Sequence, residues 1–123
     1  VLRLANDQIG NPTAAPLLAK AITQVLQRPI SQLAEKSAIY HLAGEGFTSR
    51  YELGLEILGR DPHPEDQVVQ SIVRAKITDF PAQAIRPLNT ALDCGKIKTS
   101  LGIQLPPWQD GVRQILQHGK FDL

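Results

Sequence analysis

Short apolar runs alternate along this chain with longer stretches of helical periodicity. Val1 to Ala5 is apolar apart from Arg3 and is closed by Asn6-Asp7-Gln8, which predicts a strand feeding a loop. Ile9-Gly10-Asn11-Pro12 is turn chemistry, and Thr13 stands where a cap for the next helix belongs. From Ala14 to Gln27 the residues Leu17, Leu18, Ala21, Ile22, Val25 and Leu26 form one stripe at helical spacing, and Arg28-Pro29 stops it, because the residue before proline is pushed out of the α region. Ser37 to Ala43 is β-branched and aromatic enough for a strand, with both faces partly apolar, and Gly44-Glu45-Gly46 breaks it. A second helix is predicted from Thr48 or Ser49, where Ser49 and Glu52 have capping-box spacing; Tyr51, Leu55 and Leu58 share a face, and Gly59 is placed for a left-handed terminus.

The second half is less regular. Arg60 to Asp66, with Pro62 and Pro64, reads as a polar loop, and Ser71 to Asp79 as a strand of weak alternation. Pro81 to Pro87 is too proline-bounded for a regular element and predicts a stiff extended loop; Leu88 to Leu92 is short enough to pair as a strand. Asp93 is positioned as the N-cap of a short helix reaching about Leu101, with Gly102 after it. After Leu105-Pro106-Pro107 a last helix carries Trp108, Val112, Ile115 and Leu116 on one face, ends at His118-Gly119, and leaves a frayed tail. No internal repeat is present, so short strands alternating with four helices point to an α/β or α+β unit.

Composition narrows the class. At 123 residues and 13.5 kDa the chain reads as one soluble globular domain, long enough to bury roughly two-thirds of its unfolded surface. The lone Cys94 excludes an intramolecular disulfide and a multi-cysteine zinc site. Thirteen Lys and Arg against twelve Asp and Glu leave a net charge of +1, evenly spread, without the footprint of a nucleic-acid or acidic-membrane partner. No apolar run is long enough for a membrane span or a signal peptide. A start at Val1 and the absence of Met predict a processed chain or a piece of a longer one.

The search for chemistry is mostly negative. There is no GxGxxG, no phosphate-binding P-loop, and no HExxH, CxxC or GxSxG. His41, His63 and His118 have no ligand-like spacing and read as strand, loop and helix-terminal residues. Asp7 and Gln8 stand at a strand end before a Gly and Pro turn, where loops present polar groups to ligands; an Asx-type turn stabiliser is the alternative. Arg86 is held by Pro87 in a loop stiffened by Pro81, so little ordering entropy opposes aiming its guanidinium at a phosphate; an ordinary surface ion pair is the alternative. Trp108 reads as a core anchor rather than a ligand platform. No catalytic residue and no metal ligand is assigned.

Four ordered stretches carry a resemblance. Leu2 to Thr13 is similar to the strand and "DQ-x-G-x-PT" turn of the dTDP-4-dehydrorhamnose reductases, members of the extended short-chain dehydrogenase/reductase superfamily. Ile39-Tyr40-His41-Leu42-Ala43-Gly44 with Thr48-Ser49 resembles their "YHLAG…TS" segment, and Arg86-Pro87-Leu88-Asn89-Thr90-Ala91-Leu92-Asp93 with Lys96 their "RP-x-x-[ST]-x-LD-x-x-K"; Leu105-Pro106-Pro107-Trp108 is the fourth. The resemblance implies an α/β fold that is the C-terminal portion of the extended short-chain dehydrogenase/reductase fold, with about four helices and a few short strands. The glycine-rich dinucleotide-binding half, and with it the catalytic YxxxK pair, is absent. Residues 1–123 would then be a single domain fragment, comprising the substrate-binding region and terminal elements of the cofactor-domain sheet.

The implied reaction of the parent is reduction of dTDP-4-dehydro-L-rhamnose to dTDP-L-rhamnose with NADPH or NADH in the cytoplasm. The fragment alone would bind no cofactor and would be inactive; it would hold the dTDP-sugar together with the missing half. Asp7, Gln8, Thr13 and Arg86 are the implied substrate-side residues. A homodimer is also implied, but Pro16 and His118 stand where some relatives place carboxylates for a magnesium bridge, which argues against a metal at such an interface. The alternative is a non-catalytic relative similar to the regulatory subunit of methionine adenosyltransferase. Finally, a strand such as Ser37 to Ala43, apolar on both faces, is expected to join the edge of the cofactor domain's sheet.

Overall fold

A computed structural model of the chain describes residues 1–118. Strand β1 (Leu2–Ala5) pairs in parallel with a strand some seventy residues later, Ile72–Ala75, in the register Leu2↔Ile72 to Ala5↔Ala75. Parallel pairing demands a long crossover, and here three helices lie between the two strands. Hydrogen bonds from Leu2 N–H to the Ser71 carbonyl at 2.8 Å and from Asn6 N–H to the Ala75 carbonyl at 3.0 Å extend the ladder at both ends.

The chain then turns through Asn6-Asp7-Gln8 into β2 (Ile9–Gly10), which pairs antiparallel with β3 (Thr48–Ser49). Ile9 also pairs on its other side with residue 89: its N–H donates to the Leu88 carbonyl at 2.7 Å and its carbonyl accepts from Thr90 N–H at 2.9 Å. The predicted pairing of Leu88 to Leu92 is thus a single bridge.

Helix α1 (Ala15–Leu26) occupies the stretch the apolar stripe predicts. Ala21 is buried in the main cluster with Ile97, Leu101, Ile103 and Leu105, and Leu17 and Val25 pack against it. Ile22 and Leu26 stay exposed, so the stripe is wider than the core that receives it. Pro29 does not merely end this helix: it opens a short second one, α2 (Ile30–Glu35), which periodicity did not predict. Helix α3 (Arg50–Gly59) begins at the expected capping box and lies over β1, where Gly54 lets Leu4 approach: a Cβ there would fall 2.2 Å from Leu4 Cδ1. The fourth strand, β4 (Ile72–Ala75), is the core of the predicted Ser71–Asp79 strand; the remainder winds into a 3-10 turn at Ile77–Asp79. Helices α4 (Gly95–Leu101) and α5 (Trp108–His118) complete the chain.

Helix α4 ends at Gly102, which has a left-handed φ of 63°. The Arg28 guanidinium donates to the Leu101 carbonyl, and Lys36 Nζ donates to the Ser100 carbonyl at 2.6 Å, so two cations meet the helix where its dipole favours them. In α5, Trp108 and Val112 are buried, with Gly46 against the indole, while Ile115 is more exposed than the predicted stripe implies.

The local expectations fail at four places, each for a physical reason. Ser37 to Ala43 is not a strand: Tyr40 and Leu42 turn towards the core and Ile39 and His41 outwards, but among the described residues no backbone lies alongside to complete a ladder. Thr13 is not a cap; Ala14 occupies the N-cap position, and the Thr13 hydroxyl is drawn instead to the Asn11 carbonyl and Gly44 N–H. Gly59 remains inside α3 with a negative φ, because the helix runs on to an Arg60 cap. Cys94, not Asp93, is the N-cap of α4; the Asp93 carboxylate accepts from Gly95 N–H at 2.7 Å from one residue further out. Among the described residues the α-helices number five, α2 being the one added to the expected four or so. Gly119 and the predicted frayed tail lie outside the described residues.

Candidate functional site

The turn after β1 supplies two of the candidate residues, which have different fates. Asp7 Oδ1 accepts from Ile77 N–H at 2.8 Å, clamping the turn to the 3-10 segment beyond β4. Its carboxylate serves the fold's own backbone and lines neither cavity described below. Gln8 is buried at 8 % exposure, and both ends of its amide are engaged. Oε1 accepts from Arg50 Nε, and Nε2 donates to the Pro87 carbonyl at 3.3 Å. One side chain therefore links the β1 turn, the first residue of α3 and the loop that carries Arg86.

Thr13 performs a similar task. Its hydroxyl donates to the Asn11 carbonyl and accepts from Gly44 N–H, both at 3.0 Å. Asn11, which no sequence motif singled out, is the stronger staple: Nδ2 donates to the Gly46 carbonyl at 2.6 Å and Oδ1 accepts from Leu92 N–H at 2.6 Å. Gly44 closes this knot, since a Cβ there would lie 2.3 Å from the Pro12 carbonyl oxygen.

These loops enclose an open cavity of about 520 Å³. Gln8, Asn11, Thr13 and Arg50 contribute its polar wall, and Leu18 and Leu53 its apolar one. At its edge, the start of α3 is locked by a reciprocal pair. Ser49 Oγ accepts from Glu52 N–H at 3.1 Å, while Glu52 Oε2 accepts from Ser49 N–H at 3.2 Å, from Ser49 Oγ at 2.9 Å and from Thr48 Oγ1 at 3.2 Å. Donation by the Ser49 backbone, then by the Ser49 and Thr48 hydroxyls, holds the Glu52 carboxyl below the usual glutamate range, against a small opposing effect of burial.

Arg86 lies elsewhere, on a second, smaller cavity of about 250 Å³ between β1 and the 77–86 segment. Arg3 of β1 and Arg50 of α3 line the same cavity, so residues from three distant parts of the chain converge there. Arg50 borders both cavities. The sequence offered no signal that Arg3 or Arg50 would meet Arg86, because neither is near it in the chain. Away from both cavities, the exposed side chains of His63, Glu65 and Asp66 bring one ligand-type atom each within 4.8 Å of one another on a surface turn.

The model of the RmlD substrate binding domain matches residues 1–121. The chain belongs to that family. A dTDP-4-dehydrorhamnose reductase of Aggregatibacter actinomycetemcomitans is 34% identical over 118 residues, covering 94% of this chain and 40% of that protein. Among solved structures, a dTDP-4-dehydrorhamnose reductase from Clostridium acetobutylicum superimposes with a TM-score of 0.78 at 20% identity, over 95% of this chain and 38% of the other. The reductase from Bacillus anthracis, solved in complex with NADP, gives 0.77 at 20% identity, again over 95% and 38%. This RmlD-family chain therefore spans about 40% of the length of the relatives it matches and has their α/β fold over that span.

Proposed function

We propose that this chain is the nucleotide-sugar-binding region of a dTDP-4-dehydrorhamnose reductase, a cytoplasmic enzyme that reduces dTDP-4-dehydro-L-rhamnose to dTDP-L-rhamnose. The observation that carries the reading is the family match over residues 1–121; Gln8 and Thr13 line the larger of the two cavities and Arg86 the smaller. In this reading the hydride donor, NADPH or NADH, is held by a part of the protein other than residues 1–123. Nothing in this sequence suits a dinucleotide, since its glycines are scattered and no strand-to-helix turn is glycine-rich. The region contributes positioning: Gln8, Thr13 and Arg86 fix the loops on which the dTDP-sugar rests, which lowers the entropic part of the barrier. Asp7 contributes indirectly, through its clamp on Ile77.

The exposed apolar surface supports the reading of residues 1–123 as a single unit that works against a further part of the protein. Ile39, Leu26 and Ile30 are 83%, 73% and 84% exposed. Ser37 to Ala43 has alternating sides and no ladder partner among the described residues, so it is suited to pair with a strand of the cofactor half. In the test, the longer protein containing this chain is supplied with dTDP-4-dehydrorhamnose and NADPH or NADH, and oxidation of the cofactor is followed. Turnover is expected; its absence would overturn the reductase reading and favour a non-catalytic relative.

A further inference from the structure

Gln8 is buried and doubly bonded, yet the backbone on either side of it is held by other bonds. The turn after β1 is joined to the 88–90 segment by Ile9 N–H to the Leu88 carbonyl and by Thr90 N–H to the Ile9 carbonyl. The start of α3 is fixed by the Ser49–Glu52 box and by the pairing of β2 with β3. What the Gln8 amide adds lies beyond those ties. Its Oε1 fixes Nε of the exposed Arg50 side chain, and its Nε2 reaches the Pro87 carbonyl at 3.3 Å, one residue after Arg86. Residues 81–86 make no hydrogen bond among the described residues, so this amide is the first tie that the loop meets after Arg86.

The amide is chemically suited to these two partners. A guanidinium only donates and a carbonyl only accepts, so the group between them must present one acceptor and one donor. Only one orientation of the amide does so; a flip would set its NH2 against Arg50 and its oxygen against the Pro87 carbonyl. Arg50 borders both cavities and has no ion-pair partner among the described residues, while Arg86 lines the smaller cavity.

We propose that Gln8 is a positioning residue that couples the two cavities. It presets the Arg50 side chain and the loop bearing Arg86 in one arrangement, which a ligand reaching from one cavity into the other meets already formed. The inference rests on the nucleotide-sugar reading above and deepens it. Gln8 acts through Arg50 and Pro87, not on the reacting atoms. Exposed parts that are ordered before binding lose less entropy on binding, so Gln8 contributes to affinity and leaves the chemical step alone.

The test uses the longer protein containing this chain, assayed for turnover of dTDP-4-dehydrorhamnose and titrated with dTDP by calorimetry. Gln8→Met, which removes both bonds, is expected to raise KM and the dTDP Kd about tenfold, with kcat within about twofold of wild type. Gln8→Glu keeps the acceptor for Arg50 but, when ionised, has no proton for the Pro87 carbonyl; its affinity is expected to fall between the two. Arg50→Met alone is expected to weaken dTDP, and to add little in the Gln8→Met background. Additive losses would mean that Gln8 touches the ligand directly and would overturn the positioning role. Ile97→Val, in the main core, lowers stability and is expected to leave KM unchanged. Thermal melts confirm that each variant is folded; should Gln8→Met not fold, the same cycle is run with Gln8→Asn, whose shorter amide cannot span both partners. Wild-type KM and dTDP affinity in folded Gln8→Met, or in Gln8→Glu, would overturn the coupling even if the enzyme turns over its substrate. Loss of dTDP affinity on Gln8→Met in a protein without turnover would keep the positioning role and remove the reductase. Neither dTDP binding nor turnover in the wild type would overturn both.

Discussion

Gln8 shows how one side chain can set the geometry of a site from beneath it. At 8 % exposure its amide binds Arg50 and the Pro87 carbonyl together, so Gln8→Leu removes both bonds and leaves the Arg50 and Pro87 groups without that partner. A loss of about 1–3 kcal/mol is expected in urea unfolding, since stranding partly buried partners costs more than the bonds themselves contribute. Glu52 predicts a pH dependence. Its carboxyl sits below the usual glutamate range because Ser49 and Thr48 donate to it. A group lowered on folding stabilises the protein at pH values above its unfolded pKa, and that contribution is lost as pH falls through the folded value. The stability gap between wild type and Glu52→Ala should therefore be constant near neutrality and close as pH is lowered below the ordinary glutamate range. Ser49→Ala, which removes the cap itself, should cost about 1 kcal/mol at neutral pH.

At the scale of elements, the capping box and the α1 stripe were legible because they are contacts within a few residues. The failures came where a neighbour distant in the chain decides. Thr13 has the chemistry of a cap, but the 43–46 loop supplies Gly44 N–H and claims its oxygen. Two glycines illustrate the same dependence on neighbours. A Cβ on Gly44 would meet the Pro12 backbone oxygen at 2.3 Å, whereas one on Gly54 would meet only the movable end of Leu4 at 2.2 Å. Gly44→Ala is expected to lower the melting temperature clearly, because a loop knot must open. Gly54→Ala should cost less, since Leu4 can change rotamer and alanine gains about 1 kcal/mol of helix propensity over glycine. Equal losses for the two variants would contradict this account.

For the whole molecule, the main fact is how much apolar surface stays outside. Among the described residues, alanines make up much of the buried core, and no large side chain is completely enclosed. Ile39 projects from a segment without a ladder partner. If residues 37–43 add to a sheet in the longer protein, their amides should exchange slowly with solvent there and rapidly in residues 1–123 alone. Hydrogen exchange on both chains measures the difference; protection of these amides in the short chain would show that they need no partner. The cavity of about 250 Å³ belongs to this scale too, because the three arginines that line it come from β1, α3 and the proline loop.

The sequence by itself determined what depends on near neighbours: the α1 stripe, the Ser49–Glu52 box at the start of α3, the stop at Gly102, the neutral charge balance, and the ordered motifs that lead to the RmlD family. Only the tertiary structure decided which of the marked residues share a space. It gave Asp7 to Ile77, joined Gln8 to Arg50, placed Arg86 away from the cavity that Gln8 and Thr13 line, and brought Arg3 and Arg50 beside Arg86. The physical reason is range: propensity, capping and periodicity act across a turn or two of chain. A cavity is instead built by parallel pairing across some seventy residues, and no local pattern encodes which distant side chains that pairing will bring together.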